Sequence, residues 1–297
     1  MASVAAVVIG ALRRTPIKYW VMDLNPDQSV ALGVVREHSP MARLFDRLNR
    51  LVLRRAADVV VLDRFMAERV NRKLDVGTKL TIIPPWPHQA PLEDVRHEDN
   101  PFRHRHGLDG KLVVMYSGNH GPSNPIATVL QAAQRLADLP DMVFLFVGGG
   151  VGKAEVDAAV GPTIRSLPYQ PLDQLRYSLS AADVHLVTVG DAVVGIVHPS
   201  KVYGALAAGR PILLLGPEQS HVGEMVRHHD IGWRVSHGDV DGAEALLRRI
   251  ARTPMAELAD KGARARGLVA TMFGKSELCG RFCDLMERGV VSGAART

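Results

Sequence analysis

The chain has 297 residues, 46% of them apolar. That is ample for a packed core and, at ~150 residues per domain, suggests two domains. A formal charge of +5 points to acidic partners, phosphates or an anionic membrane face, without choosing between them. Two cysteines exclude a disulfide scaffold, and no stretch reaches the ~18 apolar residues of a membrane-spanning helix.

In chain order, the apolar run Met1 to Leu12 has no positive segment ahead of it, and Arg13-Arg14 follow. It reads as a short helix packed on a sheet rather than a signal peptide, and the expected compartment is the cytoplasm. Ile17 to Met22 reads as a strand ending at Asp23 and the turn Asn25-Pro26-Asp27. Met41, Leu44, Phe45, Leu48, Leu51 and Val52 recur at helical spacing, which predicts an amphipathic helix over 40–56. Asp58 introduces the strand Val59 to Leu62, a helix follows from Arg64, and Lys79 to Ile83 is a further short strand. The polar stretch from Trp86 to Arg105, with Pro87, Pro91 and Pro101 and no periodicity, reads as an interdomain linker.

The second block is more regular. Strand Leu112 to Tyr116 leads to the glycine loop Ser117 to Gly121, then a helix over about 125–137. Strand Met142 to Val147 ends in Gly148-Gly149-Gly150, Ile164 to Leu167 is a short strand, and a helix spans 172–181. Strand Val184 to Val189 opens the loop 190–199, followed by helix 201–208 and strand Pro211 to Leu215. Helices near 218–228, 241–251, 255–270 and 275–288 close the chain. This alternation predicts a parallel α/β fold. Cys279 and Cys283, four apart in the last helix with no metal-site partners nearby, read as buried thiols.

Three loops leave strand ends: Ser117 to Gly121, Gly148 to Gly152, and Gly195 to Lys201. In an open parallel sheet such ends converge on one crevice where ligands bind. Glycines let backbone N–H groups approach an anion, and helix N-termini add favourable partial charge. One glycine loop is as readily a tight turn; three on one rim are more specific. In Gly195-Ile196-Val197-His198-Pro199-Ser200-Lys201, Ser200 is placed as N-cap of a short helix that Gly209 and Pro211 terminate. Gly204 inside it costs ~1 kcal/mol relative to Ala, so close packing or a ligand should want the missing side chain. Lys201 in the first turn opposes the helix dipole, which is best explained if it faces an anion such as a diphosphate.

From Leu167-Pro168-Tyr169-Gln170-Pro171, through Ser180-Ala181-Ala182-Asp183-Val184-His185-Leu186-Val187, to Pro199-Ser200-Lys201-Val202-Tyr203 and Ala207-Ala208-Gly209-Arg210-Pro211, the chain resembles the donor domain of family 4 glycosyltransferases. Within that family it is similar to the branch that builds bacterial cell-surface polysaccharides. Tyr116 to Gly121 and Phe146 to Gly150 stand where the family has its first two donor-side loops; Asp23-Leu24-Asn25-Pro26 and Ile83-Pro84-Pro85-Trp86 resemble parts of its acceptor half. The resemblance implies a GT-B-type α/β fold. A Rossmann-like parallel-sheet donor domain would span 111–288, with an incomplete N-terminal Rossmann-like acceptor domain at 1–85, a linker at 86–110 and a tail at 289–297.

It further implies a nucleoside-diphosphate sugar donor, UDP by family frequency, and a polysaccharide or polyprenyl-linked acceptor. The reaction would retain configuration without a cofactor, a metal or an assigned catalytic residue. Donor contacts carried over are Gly118, Asn119, His120 and Gly121; Gly149, Gly150 and Lys153; Pro168 and Tyr169, against which the base would lie; and Gly195, His198, Pro199, Ser200 and Lys201. Two departures stand out. The acidic pair that the family often carries falls at Ile196 and Gly204, and the front βα units of the acceptor half have no counterpart. The alternative is therefore a non-catalytic nucleotide-sugar-binding or interaction protein; a sugar-nucleotide epimerase ranks last for want of carboxylates.

Other motifs are weaker. Asp239-Val240-Asp241 matches a metal-binding pattern of unrelated transferases, but Asp before a helix is an ordinary N-cap. His97, His104, His106, His228 and His229 lack ligand spacing and read as surface residues, whereas His120 is equally a ligand contact or a structural residue. Arg43, Arg47, Arg50 and Arg54 form a stripe on helix 40–56. It is either a solvated face or a basic surface for peripheral contact with anionic lipid on the inner face of the membrane. No aromatic or groove-reading pattern accompanies it, which disfavours nucleic acid.

Overall fold

A computed structural model describes residues 2–87 and 95–288. Part of the expected linker, 88–94, and the expected tail, 289–297, lie outside the described residues. The chain forms two compact units: Met1–Trp86, Ala192–His198 and Phe273–Thr297 make the first, and Pro87–Asp191 with Pro199–Met272 the second.

The first unit contains α1 (Ala2–Arg13), β1 (Lys18–Trp20), α2 (Asp27–Ala31), α3 (Pro40–Arg55), β2 (Asp58–Val61), α4 (Arg64–Lys73) and β3 (Leu80–Ile82). The three strands form a parallel sheet in the order β1-β2-β3. Val59, Val60 and Val61 are fully buried, and Val59 and Val61 share one core cluster with Leu53 of α3 and Met66 and Val70 of α4. Local chemistry fixes the helix ends. Ser39 Oγ accepts the Ala42 N–H at 3.1 Å and Pro40 opens α3. Lys79 Nζ donates to the Leu53, Arg54 and Ala56 carbonyls at its other end.

In the second unit the chain runs through α5 (Pro101–Arg105), β4 (Leu112–Asn119), α6 (Ala127–Gln134), β5 (Met142–Gly149), α7 (Lys153–Ala158), β6 (Ile164–Leu167), α8 (Leu175–Ser180) and β7 (Val184–Thr188). It continues with α9 (Lys201–Ala208), β8 (Ile212–Leu215), α10 (His221–His229), β9 (Gly232–Val235), α11 (Val240–Ala251) and α12 (Met255–Thr271). Six parallel strands stand in the order β6-β5-β4-β7-β8-β9. The order reverses between β4 and β7, which makes their C-terminal ends the switch point where such sheets bind ligands. Alternate residues fill the two faces. Val114, Tyr116, Phe144 and Phe146 pack with α6 and α11, while Val113, Met115, Val143 and Leu145 pack with Phe102 and Leu108.

The structure differs from the sequence expectation in several places. Residues 97–108 are part of the second unit rather than a linker. Asn100 is fully buried and donates to the Tyr177 carbonyl at 2.9 Å; Arg103, 2% exposed, donates to the carbonyls of Ala181, Leu108 and Lys111, each at 2.6 Å. A segment held by polar satisfaction shows no apolar periodicity. The last helix, α13 (Lys275–Glu287), belongs to the first unit. Phe282 lies against Trp20 with ring centroids 4.6 Å apart, and Lys18 Nζ donates to the Leu285 carbonyl. Leu278 and Leu285 are its buried positions, so Cys283 is exposed and Cys279 half-buried, not the buried thiols expected. Strand β9 was not anticipated.

Two glycines test how tightly the second unit is built. Gly148 has φ +135°, and a Cβ there would overlap the Gly118 carbonyl oxygen of the adjacent strand. Gly267, inside α12, has open space around it. Gly148→Ala is expected to destabilise by more than ~2 kcal/mol. Gly267→Ala should stabilise by ~0.5–1 kcal/mol. Urea unfolding of both variants checks the pair; equal effects would contradict this packing.

Candidate functional site

At the switch point the ends of β4 and β5 are held together by main-chain bonds. The His120 N–H donates to the Gly149 carbonyl at 2.7 Å, the Gly152 N–H to the His120 carbonyl at 2.8 Å, and the Lys153 N–H to the Gly150 carbonyl at 3.0 Å. The first two predicted loops therefore form one double layer. Part of their N–H set serves the protein itself instead of standing ready for an anion.

Lys201 enters this layer from the first turn of α9. A Cβ on Gly118 would lie 2.6 Å from Lys201 Cε, so the glycine is what lets the lysine stem lie across the strand end. Its ammonium sits 5.2 Å from the centroid of the Tyr116 ring, a cation–π arrangement. Burial pushes the Lys201 pKa down to about 8, and no carboxylate counters it. Among the described residues, Lys201 has no hydrogen-bond or ion-pair partner. A partly desolvated cation without a counter-charge is unfavourable alone and is the complement of an anion.

Around it, Tyr116 is 1% exposed and donates its hydroxyl to the Asn119 carbonyl at 2.6 Å, and burial raises its pKa. His120 packs on Tyr116 with centroids 4.7 Å apart. Its Nδ1 faces the Gly149 carbonyl at 3.3 Å, and its pKa is lowered, first by burial and then by the charges of Lys153 and Lys201. It is 1% exposed, and its Nε2 is buried with no hydrogen-bond partner among the described residues. Gly121 lies beside the Asn119 side chain, and a Cβ on Gly150 would overlap that same side chain. Tyr169 is 58% exposed beyond the end of β6, with its ring along Gly149; Pro168 is exposed next to it.

Several expected donor residues stand elsewhere or do other work. Lys153 forms an ion pair with Asp157 at 3.0 Å and bonds to Ser166, so its charge is already matched within the protein. Ser200 takes the N-cap position of α9, but its φ of −59° and ψ of −19° are helical and its side chain caps nothing. Pro199 precedes it in the second unit. Gly209 ends the helix at φ +65° as anticipated. A Cβ on Gly204 would meet only Leu179 Cδ1 at 3.6 Å, an ordinary contact, so packing does not require that glycine.

Gly195 and His198 belong to the first unit. A Cβ on Gly195 would lie 2.5 Å from the Phe65 carbonyl oxygen, which explains the glycine by close approach of backbone. Residues around it are fixed by a bridge between Asp23 and Val197 and by the Leu24 N–H donating to the Ile196 carbonyl at 3.0 Å. His198 Nδ1 lies 2.7 Å from Asp63 Oδ2, both side chains almost fully buried. Asp63 Oδ1 also accepts the Met66 N–H as N-cap of α4. Asp23, its pKa raised by burial and partly lowered by His198, completes the group. Asp63 was missed; its place just before a helix beginning at Arg64 was the available signal. Asp239 caps α11 through the Gly242 N–H at 2.9 Å, as its sequence position suggests.

No protein-family model matches the chain. In sequence it is 29% identical over 249 residues to WbjE of Pseudomonas aeruginosa, described as a glycosyltransferase, covering 80% of this chain and 61% of WbjE. It is 28% identical over 213 residues to the colanic acid biosynthesis glycosyl transferase WcaI of Escherichia coli K12, covering 69% of this chain and 52% of WcaI. The chain thus spans between half and two thirds of the curated relatives it matches. Among solved structures, Anabaena HepE in complex with UDP superposes with a TM-score of 0.77 at 14% identity, covering 96% of this chain and 76% of that one. Parallel Rossmann-like sheets and the likeness to HepE give the chain a GT-B fold, and in sequence it is similar to bacterial glycosyltransferases.

Proposed function

We propose that the chain binds a nucleoside-diphosphate sugar at the β4–β5–α9 rim and serves transfer of its sugar to a polysaccharide or lipid-linked acceptor. The observation that carries this reading is Lys201: a half-buried ammonium over Tyr116, at a parallel-sheet switch point, with no carboxylate partner among the described residues. A diphosphate would supply the missing counter-charge. The exposed ring of Tyr169 beside Gly149 offers a flat apolar surface to a base. UDP is the nucleotide favoured, since HepE has been solved with UDP and with UDP-glucose. Donor binding through cations and N–H groups fits a transfer that rests on positioning and on stabilising the departing diphosphate rather than on a protein base. Retention of anomeric configuration belongs to the same reading.

A second reading, nucleotide-sugar binding without transfer, is favoured by one observation. Ile196 and Gly204, aligned with the acidic pair common in such enzymes, offer no carboxylate, and Ile196 is 2% exposed within an apolar cluster. Calorimetric titration with UDP-, GDP- and ADP-sugars tests binding, and release of free nucleotide in the presence of acceptor separates the two readings. Absence of binding to all three donors overturns both.

Lys201→Ala is expected to weaken UDP-sugar binding by ~10- to 100-fold, the loss of one or two charge-assisted bonds; an unchanged Kd would remove the lysine from the site. Affinity should be flat below pH ~7.5 and fall about tenfold per pH unit above pH 8, where the free ammonium loses its proton. Without ligand the sign reverses. The folded pKa lies below the unfolded value, so the buried charge costs stability below pH 8, and that cost fades as pH rises from 8 towards 10.5. Lys201→Met should therefore raise stability at pH 7 by on the order of 1–2 kcal/mol, discounted for partial solvent screening, and by little at pH 10.5. Thermal melts of the ligand-free protein at both pH values decide this.

A further inference from the structure

Two histidines that the sequence suggests are surface residues hold one short segment of the second unit in opposite charge states. The segment is a single 3-10 turn, His97–Asp99, immediately ahead of α5. Its main chain is closed by the Asp99 N–H donating to the Arg96 carbonyl at 3.1 Å and the Asn100 N–H to the His97 carbonyl at 3.2 Å. His104, on α5, faces acceptors with both ring nitrogens. Nδ1 is 2.9 Å from Asp109 Oδ2, and Nε2 is 2.9 Å from the Glu98 carbonyl oxygen. A neutral imidazole carries one N–H, so both bonds are satisfied together only in the cation. The hydrogen bond to Asp109 is the main cause of a pKa raised above the ordinary histidine value, with the Asp109 charge, the Glu98 carbonyl and Asp99 adding to it. Loss of the proton therefore breaks the bridge from α5 to the turn at one end.

His97 is the reverse case. Its Nδ1 stands 3.5 Å from Asp183 Oδ1, while its Nε2 is buried and has no hydrogen-bond partner among the described residues. Asp183 is already engaged, since Oδ2 accepts the Val113 N–H at 2.8 Å and lies 3.3 Å from Arg103 Nη1. A second proton on His97 would be a buried donor without an acceptor, placed near the guanidinium groups of Arg103 and Arg210. Burial lowers the His97 pKa most; Asp183 and the Ala182 carbonyl pull it up, Arg210 and Arg103 push it down, and the net shift is downward. Both histidines depart from an ordinary value of 6.5. Below 6.5 His97 adds a cost as pH falls through its folded pKa. The stabilisation from His104 is complete below 6.5 and is lost as pH rises through its folded pKa. Only around pH 6.5 is each histidine in the state that its surroundings favour.

We propose that His97 and His104 form a two-sided proton clip on the turn His97–Asp99, closed near neutrality and loosened by both acid and alkali. Asn100 and Arg103, next along the chain, are buried through their own bonds to the Tyr177, Ala181, Leu108 and Lys111 carbonyls. Opening of the clip therefore releases the turn without unfolding the sheet behind it. The clip shares no residue with the rim at Lys201, so it is independent of donor binding.

Hydrogen exchange at the Asp99 and Asn100 amides of the whole chain is the test, expressed as protection factors so that the intrinsic pH dependence of exchange cancels. Protection should peak near pH 6.5 and fall towards about pH 5 and about pH 8, by up to about tenfold per pH unit, the limit for one linked proton. His97→Asn, neutral at every pH, should remove the acid limb. His104→Arg, cationic at every pH, should remove the alkaline limb and leave the acid one. Salt at about 0.5 M should flatten the alkaline limb, whose His104–Asp109 pair is exposed, and spare the acid limb. His106 also resists charging, through burial and then Arg105 and Arg165, but its ring packs on Phe102; His106→Asn should leave both limbs in place. NMR titration of the imidazole carbons in the wild type, which needs no variant, should place the His104 midpoint above 6.5 and that of His97 below it. Protection independent of pH, either limb surviving its own substitution, or both midpoints on one side of 6.5 would each overturn the clip.

Discussion

A cation held partly out of water, with no carboxylate partner among the described residues, is the constraint around which the β4–β5–α9 rim is arranged. The Lys201 ammonium lies over the Tyr116 ring, its stem in space that a glycine at 118 leaves open, and burial brings its pKa down to about 8. Such an arrangement is unfavourable by itself and persists because the surrounding fold over-determines it. Gly148 abuts the Gly118 carbonyl, the His120 and Gly152 amides cross-tie the two strand ends, and Tyr116 is anchored by the Asn119 carbonyl. Each of these contacts restricts the lysine to one place. The same restriction suits the anion proposed for this rim, because little reorganisation would accompany its arrival.

Contrast shows how much the pairing state of a lysine matters. Lys153 stands beside the same loops yet is matched by Asp157, and Lys73 in the other unit is matched by Asp27 and Asp46. Those lysines hold structure together, and an added anion would have to displace a carboxylate. Histidines divide in the same way. His198 is tied to Asp63, which caps α4 with its second oxygen, so one buried carboxylate joins a loop to a helix start. His185, fully within β7, has its pKa driven down to about 4 by burial and donates from Nε2 to the Leu179 carbonyl at 3.0 Å. Neither carries the signature of a group awaiting a ligand.

Much of the second unit was legible because its central strands are short runs, mostly apolar, set off by turn residues. Met142 to Gly148 is buried throughout, as are Val184 to Thr188 and Ile212 to Leu215. The turn at Gly209, the glycine loops and Lys201 followed from the same punctuation. What stayed hidden was what depends on a distant partner. Arg103 folds its segment into the core through three carbonyls that no pattern announces. Gly232-Trp233-Arg234-Val235 is a half-exposed edge strand too mixed to show alternation. The assignment of Gly195 and His198 to one unit and Lys201 to the other is decided by Phe65 and Asp63, well over a hundred residues away. On α3 the periodicity marked an apolar stripe correctly but not what would cover it; Ala42 and Asn49 turned out to face the core.

The return of α13 to the first unit has a consequence for how the chain is made. Residues 87–272 contain every strand of the second sheet, so that unit can close as soon as they have left the ribosome. The first unit is begun earlier and finished later. Until α13 emerges, Trp20 lacks Phe282 and the Lys18 ammonium lacks the Leu285 carbonyl. At about 5–20 residues per second, the interval between Trp86 and Phe273 lasts roughly 10–40 s. Through that time β1 to β3 exist without their last helix, and the second unit is complete before α13 has been made. The usual order, in which the first domain synthesised is the first to finish, is reversed here by a single helix.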